Sequence, residues 1–213
     1  MCNKSSWIGV ANRELTTMPF QVIELLNRNI ADSIEAIRAL KSDAYLIARF
    51  GHAIEHVVEC YRSEGRLYIA GNGGSAADAQ HLAAEFVSRL ARERNPLPAE
   101  AITTDSSILT AIGNDYGYEH IFSRQLAAKL KNNDVFLGIT TSGKSKNILN
   151  ALEYCKARDV KTIVFTGHDG GLASVIADFP IIAPGNRTST IQEVHIILGH
   201  TLCEAIETAL FPP

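Results

Sequence analysis

RLYIAGNGGS at residues 66–75 and DVFLGITTSGKS at residues 134–145 share one build: an apolar run that stops at a cluster of Gly, Ser and Thr and gives way to a helical pattern. An apolar run with no polar alternation cannot keep one face wet, so VFLGI and, further on, TIVF are predicted as strands buried between two helix layers. The unit returns as AEAITTDSS at 99–107, VKTIVFTGHDGG at 160–171 and FPIIAPGN at 179–186. Strand, loop and helix repeated about five times predict an α/β fold, a doubly wound parallel sheet in a three-layer αβα sandwich. In open sheets of this kind ligands lie beyond the carboxyl ends of the strands, so the polar loops are expected to converge on one crevice.

Before the first strand, residues 21–63 hold a single glycine, Gly51, and place Val22, Leu25, Leu26, Ile30, Ile34 and Ile37, then Leu46, Phe50, Ile54, Val57 and Val58, at helical intervals. Two helices are predicted there. Residues 1–20 are read as an N-terminal extension expected to be poorly ordered, and residues 21–213 as one domain including those helices. At the other end, residues 188–210 form a long helical pattern with Gln192, His195 and His200 among Ile191, Val194, Ile196, Ile197, Leu198 and Leu202. A helix with so little polar surface predicts burial on every side, and in a chain of this size a subunit interface.

Composition narrows the partners. With 20 Lys and Arg against 23 Asp and Glu, net charge −3, the chain has no domain-wide positive field to hold a nucleic-acid backbone. No run approaches the roughly 20 apolar residues of a membrane span, and the first 20 residues hold no apolar stretch of secretory length. Cys2, Cys60, Cys155 and Cys203 stand far apart with no CxxC pair, which excludes a cysteine zinc finger and suits reduced thiols in the cytoplasm.

Several residues could carry chemistry. Gly71-Asn72-Gly73-Gly74-Ser75 opens a helix, so its N–H groups and the helix dipole favour an anion; Ser75 and Asp78 have the spacing of a capping box. Residues 138–145, GITTSGKS, match the nucleotide-binding G-x-x-x-x-G-K-[ST] pattern, but Gly138 falls inside an apolar strand rather than starting a loop. The reading adopted is that Thr141, Ser142 and Ser145 offer hydroxyls and backbone donors to a phosphate. His81 and Glu85, at i and i+4, stack on one helix face and can hold a metal or divide acid and base duties; an ordinary surface pair has the same spacing. Gln192 and His200 are eight residues apart, about 12 Å of rise, so spacing leaves open whether one ion takes both. His195 reads as a core histidine. Arg89, Asp105 and the pair Asn114-Asp115 are weaker candidates that also read as turn or surface residues, and His52, His56, His120 and His168 have no assignable partner.

The stretches GNGGSAADAQHLAAEFVSR, TTDSSILTAIGNDYGYEHIFSRQ, GITTSGKSKNIL, TGHDGG and IQEVHIILGHTL together resemble the sugar isomerase (SIS) family, specifically the sedoheptulose 7-phosphate isomerases, also called phosphoheptose isomerases. The resemblance implies a flavodoxin-like five-stranded sheet, a homotetramer, and isomerisation of sedoheptulose 7-phosphate to an aldoheptose 7-phosphate for heptose-precursor synthesis, with one zinc per subunit. It places the metal on His81, Glu85, Gln192 and His200 and the acid–base pair on Glu85 and His200. It places phosphate contacts on Ser75, Thr141, Ser142 and Ser145, and further substrate contacts on Asn72, Gly73, Arg89, Asn114, Asp115 and Gln192. The sequence departs from the resemblance at Ser189, near where some members carry an aspartate. The alternative is a non-enzymatic tetrameric SIS adaptor that binds the replication initiator and shares the ending Leu210-Phe211-Pro212; those adaptors lack the acid–base pair.

Overall fold

The computed structural model describes residues 18–212. Two helices, α1 (Met18–Ser42) and α2 (Ala44–Arg62), lead into a βα alternation. This comprises β1 (Leu67–Gly71), α3 (Gly74–Val87), β2 (Ala99–Ala101), α4 (Ser106–Tyr116), a 3-10 turn (Tyr118–His120) and α5 (Ser123–Lys129). Then follow β3 (Val135–Thr140), α6 (Lys146–Lys156), β4 (Lys161–Thr166), α7 (Gly171–Ile176), β5 (Phe179–Ile182) and α8 (Thr188–Leu210). The first helix begins at Met18, ahead of the boundary read at residue 21; most of the N-terminal extension lies outside the described residues. Asp43 breaks the first two helices apart, accepting the Leu46 N–H at 2.9 Å as the N-cap of α2.

All five strands are parallel, in the order β2-β1-β3-β4-β5. The chain leaves β1 toward one edge and returns on its other side as β3, so the switch point lies between them. Gly71 pairs with Ile139 there, which sets the loop after β1 beside the loop after β3. Alternation along each strand sorts the core into two layers. Leu67, Ile69, Val135, Leu137, Ile139, Ile163 and Phe165 pack under α1, α2, α3 and α8. Tyr68, Ala70, Phe136 and Val164 pack under α5, α6 and α7. The side chains of β1 and β3 are buried throughout, as their unbroken apolar runs require.

The last helix is packed mainly by its own domain. It is buried on most sides but keeps an exposed stripe, Ser189, Glu193, Ile197, Thr201, Glu204 and Thr208. The uncovered apolar face belongs to α1 instead, where Phe20, Ile23, Leu26, Ile30, Ile34 and Ile37 are each at least 40% exposed. No helix among the described residues is long and apolar enough to cross a membrane. Cys60, Cys155 and Cys203 are free and buried, and burial pushes each thiol up to about 12.

His195 is a core residue, 1% exposed, its Nε2–H donating to the Thr166 carbonyl at 3.0 Å while the buried Nδ1 has no partner among the described residues. Burial lowers its pKa from 6.5 to about 4, against the raising effect of the Thr166 bond. Below pH 6.5 the unfolded chain takes up a proton that the native imidazole refuses until about pH 4. Stability is therefore expected to fall through that window by roughly 3 kcal/mol from this group. Urea midpoints measured from pH 7 to 4 should fall less steeply for His195→Leu; equal slopes would contradict the assignment.

Candidate active site

Loops after β1 and β3 meet at the switch point. The Ser75 and Ala76 N–H groups turn back to the Asn72 and Gly73 carbonyls at 3.0 and 3.1 Å, and Gly73, at φ +56°, is the N-cap of α3. The expected Ser75–Asp78 capping box does not form. Gly74 already belongs to the helix, so Ser75 sits inside the first turn, buried, and cannot act as the cap. Asp78 keeps one buried carboxylate oxygen without a partner among the described residues; burial raises its carboxyl pKa, while nearby His81 lowers it.

After β3, the Thr140 and Ser145 hydroxyls meet at 3.1 Å and the Lys144 N–H donates to Ser142 Oγ at 3.2 Å. Ser145 is the N-cap of α6, and Thr141 and Ser142 lie in the turn before it. Gly138 pairs with Ala70 and Val164 inside the sheet, and a Cβ there would come within 2.9 Å of Ile148. It is needed for helix-on-sheet packing and not for cradling a phosphate, so the nucleotide-binding letter match has no nucleotide-binding geometry.

Asn147, which the sequence reading missed, joins the two loops. It is 2% exposed and exchanges two amide hydrogen bonds with Asn72, at 2.9 and 2.8 Å, while the Tyr118 hydroxyl donates to Asn72 Oδ1 at 2.8 Å. These contacts fix the orientation of the Asn72 amide at the edge of a cavity of about 350 Å³ lined also by Glu119, Ser145 and Lys146. The Asn114 side-chain amide donates to its neighbour Asp115, at 2.8 Å, on the exposed end of α4. Asp105 is the N-cap of α4, accepting from Ile108 N–H, and has the structural role that was the plainer of its two readings. Arg89 lies just past α3 in an exposed ion pair with Glu93 at 2.9 Å.

The remaining residues meet where α3 and α8 run side by side. A Cβ on Gly199 would fall 2.6 Å from Leu82, so glycine lets the two helices approach closely. His81 Nε2 and His200 Nε2 then stand 2.9 Å apart, and His81 Nε2 lies 3.5 Å from Glu85 Oε1. Gln192 sits two turns earlier: a Cβ on Gly74 would lie 2.5 Å from its Nε2. Contacts at Gly74–Gln192 and His81–His200 advance together along both helices, and Leu90–Glu207 continues them just past the end of α3, so the pair is parallel.

Zinc takes imidazole nitrogen and carboxylate oxygen at about 2.0–2.2 Å, which puts tetrahedral neighbours about 3.3 Å apart. The two His81 distances fall on either side of that spacing, and the donor kinds suit the ion. A closed group of three His, Cys, Asp or Glu ligands is not formed among the described residues. His81, Glu85 and His200 are gathered at one place, and Gln192 is held at the start of α3.

An α/β sheet with ligand loops at its switch point and a His–Glu–His cluster between two helices defines the class, and the SIS domain family matches residues 22–167. The phosphoheptose isomerase of Aneurinibacillus thermoaerophilus is 46% identical over 188 residues, 88% of this chain and 95% of that one. Phosphoheptose isomerase 2 of Campylobacter jejuni is 48% identical over 183 residues, 86% and 91% of the two chains. Among solved structures, a phosphoheptose isomerase from Neisseria gonorrhoeae superposes with TM-score 0.82 at 40% identity, covering 88% of this chain and 99% of that one. The chain belongs to the phosphoheptose isomerases of the SIS-domain family.

Proposed function

We propose that the chain isomerises sedoheptulose 7-phosphate to D-glycero-D-manno-heptose 7-phosphate through an enediol. The observation that carries this reading is the meeting of His81 and Glu85, on the helix that opens at the GNGGS loop, with His200 of α8. The relatives and the solved structure described above, all named phosphoheptose isomerases, support a heptose phosphate as substrate.

The isomerisation moves one proton from C1 to C2 and one from O1 to O2. Glu85 takes the C1 proton, exchanges it with solvent at the enediol stage and delivers a proton to C2; His200 protonates O2 and accepts the proton from O1. Ser75, Thr141, Ser142 and Ser145 hold the phosphate at the far end of the sugar, with Gly73 and the dipole of α3 adding positive potential. Asn72, oriented by Asn147 and Tyr118, donates its free amide hydrogen to a sugar hydroxyl. Anchoring the non-reacting end brings C1 and C2 to the proton-transfer groups without further entropy loss at the reaction step. His81, Glu85 and His200, with Gln192 swung from α8, are the residues that would hold one zinc. A bound zinc would polarise the oxygens that gain charge as the enediol forms. Arg89, Asn114 and Asp115 are assigned to substrate contact, as the resemblance implies. Incubation with sedoheptulose 7-phosphate should yield the aldoheptose phosphate; an unchanged ketose would refute the reading.

The working state is a homotetramer in the cytoplasm, a compartment that suits three reduced buried thiols. The apolar stripe of α1 runs along a helix of 25 residues, about 37 Å, and matches a second copy of itself better than water. Light scattering is expected to give the mass of four 23.2 kDa chains for the parent and a smaller species for Ile30→Asp. A monomeric parent at micromolar concentration would contradict this.

A further inference from the structure

The ends of the two helices that carry the cluster are tied together by a buried ion pair. Arg94 Nε meets Glu207 Oε2 at 3.1 Å, with the two side chains 2% and 1% exposed. An ion pair taken out of water is retained only where its remaining hydrogen-bonding capacity is filled, and here both partners bond to backbone. Glu207 accepts N–H groups from Leu90, Ala91 and Arg92 at 3.4, 3.2 and 2.6 Å. Burial alone would raise the Glu207 carboxyl; the bonds from the Leu90 N–H, Arg94, and the Arg92 and Ala91 N–H groups hold it below the usual carboxylate range.

Arg94 spends its other donors on the end of α3. Its Nη2 donates to the Glu85 carbonyl at 2.8 Å and its Nη1 to the Phe86 carbonyl at 2.7 Å, with longer bonds to Ser88 and Asn95 carbonyls. That helix has no basic residue in its last turn, and Ser88 at its C-cap is not in the left-handed conformation that usually closes a helix. Its last carbonyls are therefore filled from outside, by a guanidinium whose charge also suits the helix dipole. The residue so gripped is Glu85 itself. Seven residues before Glu207, and hence on the same face of α8, stands His200.

We infer that Arg94 and Glu207 are positioning residues for the isomerisation. Their pair locks α3 to α8 in the register that brings Glu85, His81 and His200 together, and so sets both zinc affinity and the proton-transfer geometry. The inference rests on the activity proposed above but is separable from it, because zinc binding is read without substrate.

Arg94→Lys keeps the charge but has a single head, which cannot reach Glu207 and the Glu85 and Phe86 carbonyls at once. It is to be compared with Leu152→Ala, a truncation of a fully buried side chain in the opposite core layer. Four quantities are measured on each: melting temperature, kcat and KM for sedoheptulose 7-phosphate, and zinc affinity by competition with a chelator. Arg94→Lys is expected to weaken zinc about tenfold or more and lower kcat by a similar factor, with KM within about twofold because the phosphate loops lie elsewhere. Leu152→Ala, at an equal or larger loss in melting temperature, should leave zinc affinity and kcat within about twofold. Parent-like zinc affinity in Arg94→Lys, or losses that merely track melting temperature in both variants, would overturn the inference. Glu207→Gln, which keeps size and one acceptor oxygen, provides the same comparison should the lysine variant fail to fold. A parent that binds zinc but leaves the ketose unchanged would defeat the proposed activity while the zinc comparison still decides the positioning role.

Discussion

Glu85→Gln and His200→Asn are each expected to lower kcat by roughly 10²–10⁴-fold, the range that a positioned proton-transfer group contributes, with the fold and subunit assembly intact. Both side chains end at a helix–helix contact and neither is in the closed core, so an isosteric amide at Glu85 and a smaller one at His200 should leave the packing intact. Lys144→Ala supplies the contrast. Lys144 is exposed and Gly138 lies within β3, so no phosphate depends on this lysine as it would in a nucleotide loop. Turnover within a few-fold of the parent is expected for it. Steady-state kinetics with circular dichroism on the three variants checks the set; full activity in Glu85→Gln would remove the proton-transfer assignment.

The second large effect concerns the metal. Elemental analysis of metal-replete protein is expected to give about one zinc per chain, and His81→Ala to lose at least about 100-fold in affinity, beyond what an outer-shell partner costs. His81 is the member that touches both others, at 2.9 and 3.5 Å, so removing it takes the centre out of the donor set. Zinc should also raise the parent's melting temperature with concentration, because binding to the native state alone adds stability by mass action. His81→Ala with parent-like affinity would refute the site.

Much of the architecture was legible because its determinants are local. Five apolar runs ending in Gly, Ser or Thr clusters became the five strands, and Gly138 inside one of them already argued against a nucleotide loop. His81 and Glu85 could be paired because one helix turn fixes their spacing. What failed or was missed depends on register and on partners distant in the chain. The capping box was misplaced because Gly74 entered the helix and carried Ser75 with it. Asn147 meets Asn72 across two strands, and Arg94 meets Glu207 across two helices, pairings that no local period encodes. One signal was available: Glu207 follows Cys203 by four residues, a carboxylate in the apolar phase of α8 that had to find a buried partner. The pattern of α8 shows how apolar it is but not how much of it its own domain covers, and the apolar face left exposed on a single chain is that of α1.

The most direct test of the account is to incubate metal-replete parent protein with sedoheptulose 7-phosphate in D₂O and follow the sugar by NMR. Conversion to an aldoheptose 7-phosphate that carries solvent deuterium at C2 is the result predicted for proton transfer through an enediol. Ketose left unchanged by zinc-loaded protein that is folded and assembled, or an aldose formed only with ATP and only while Lys144 is present, would contradict it.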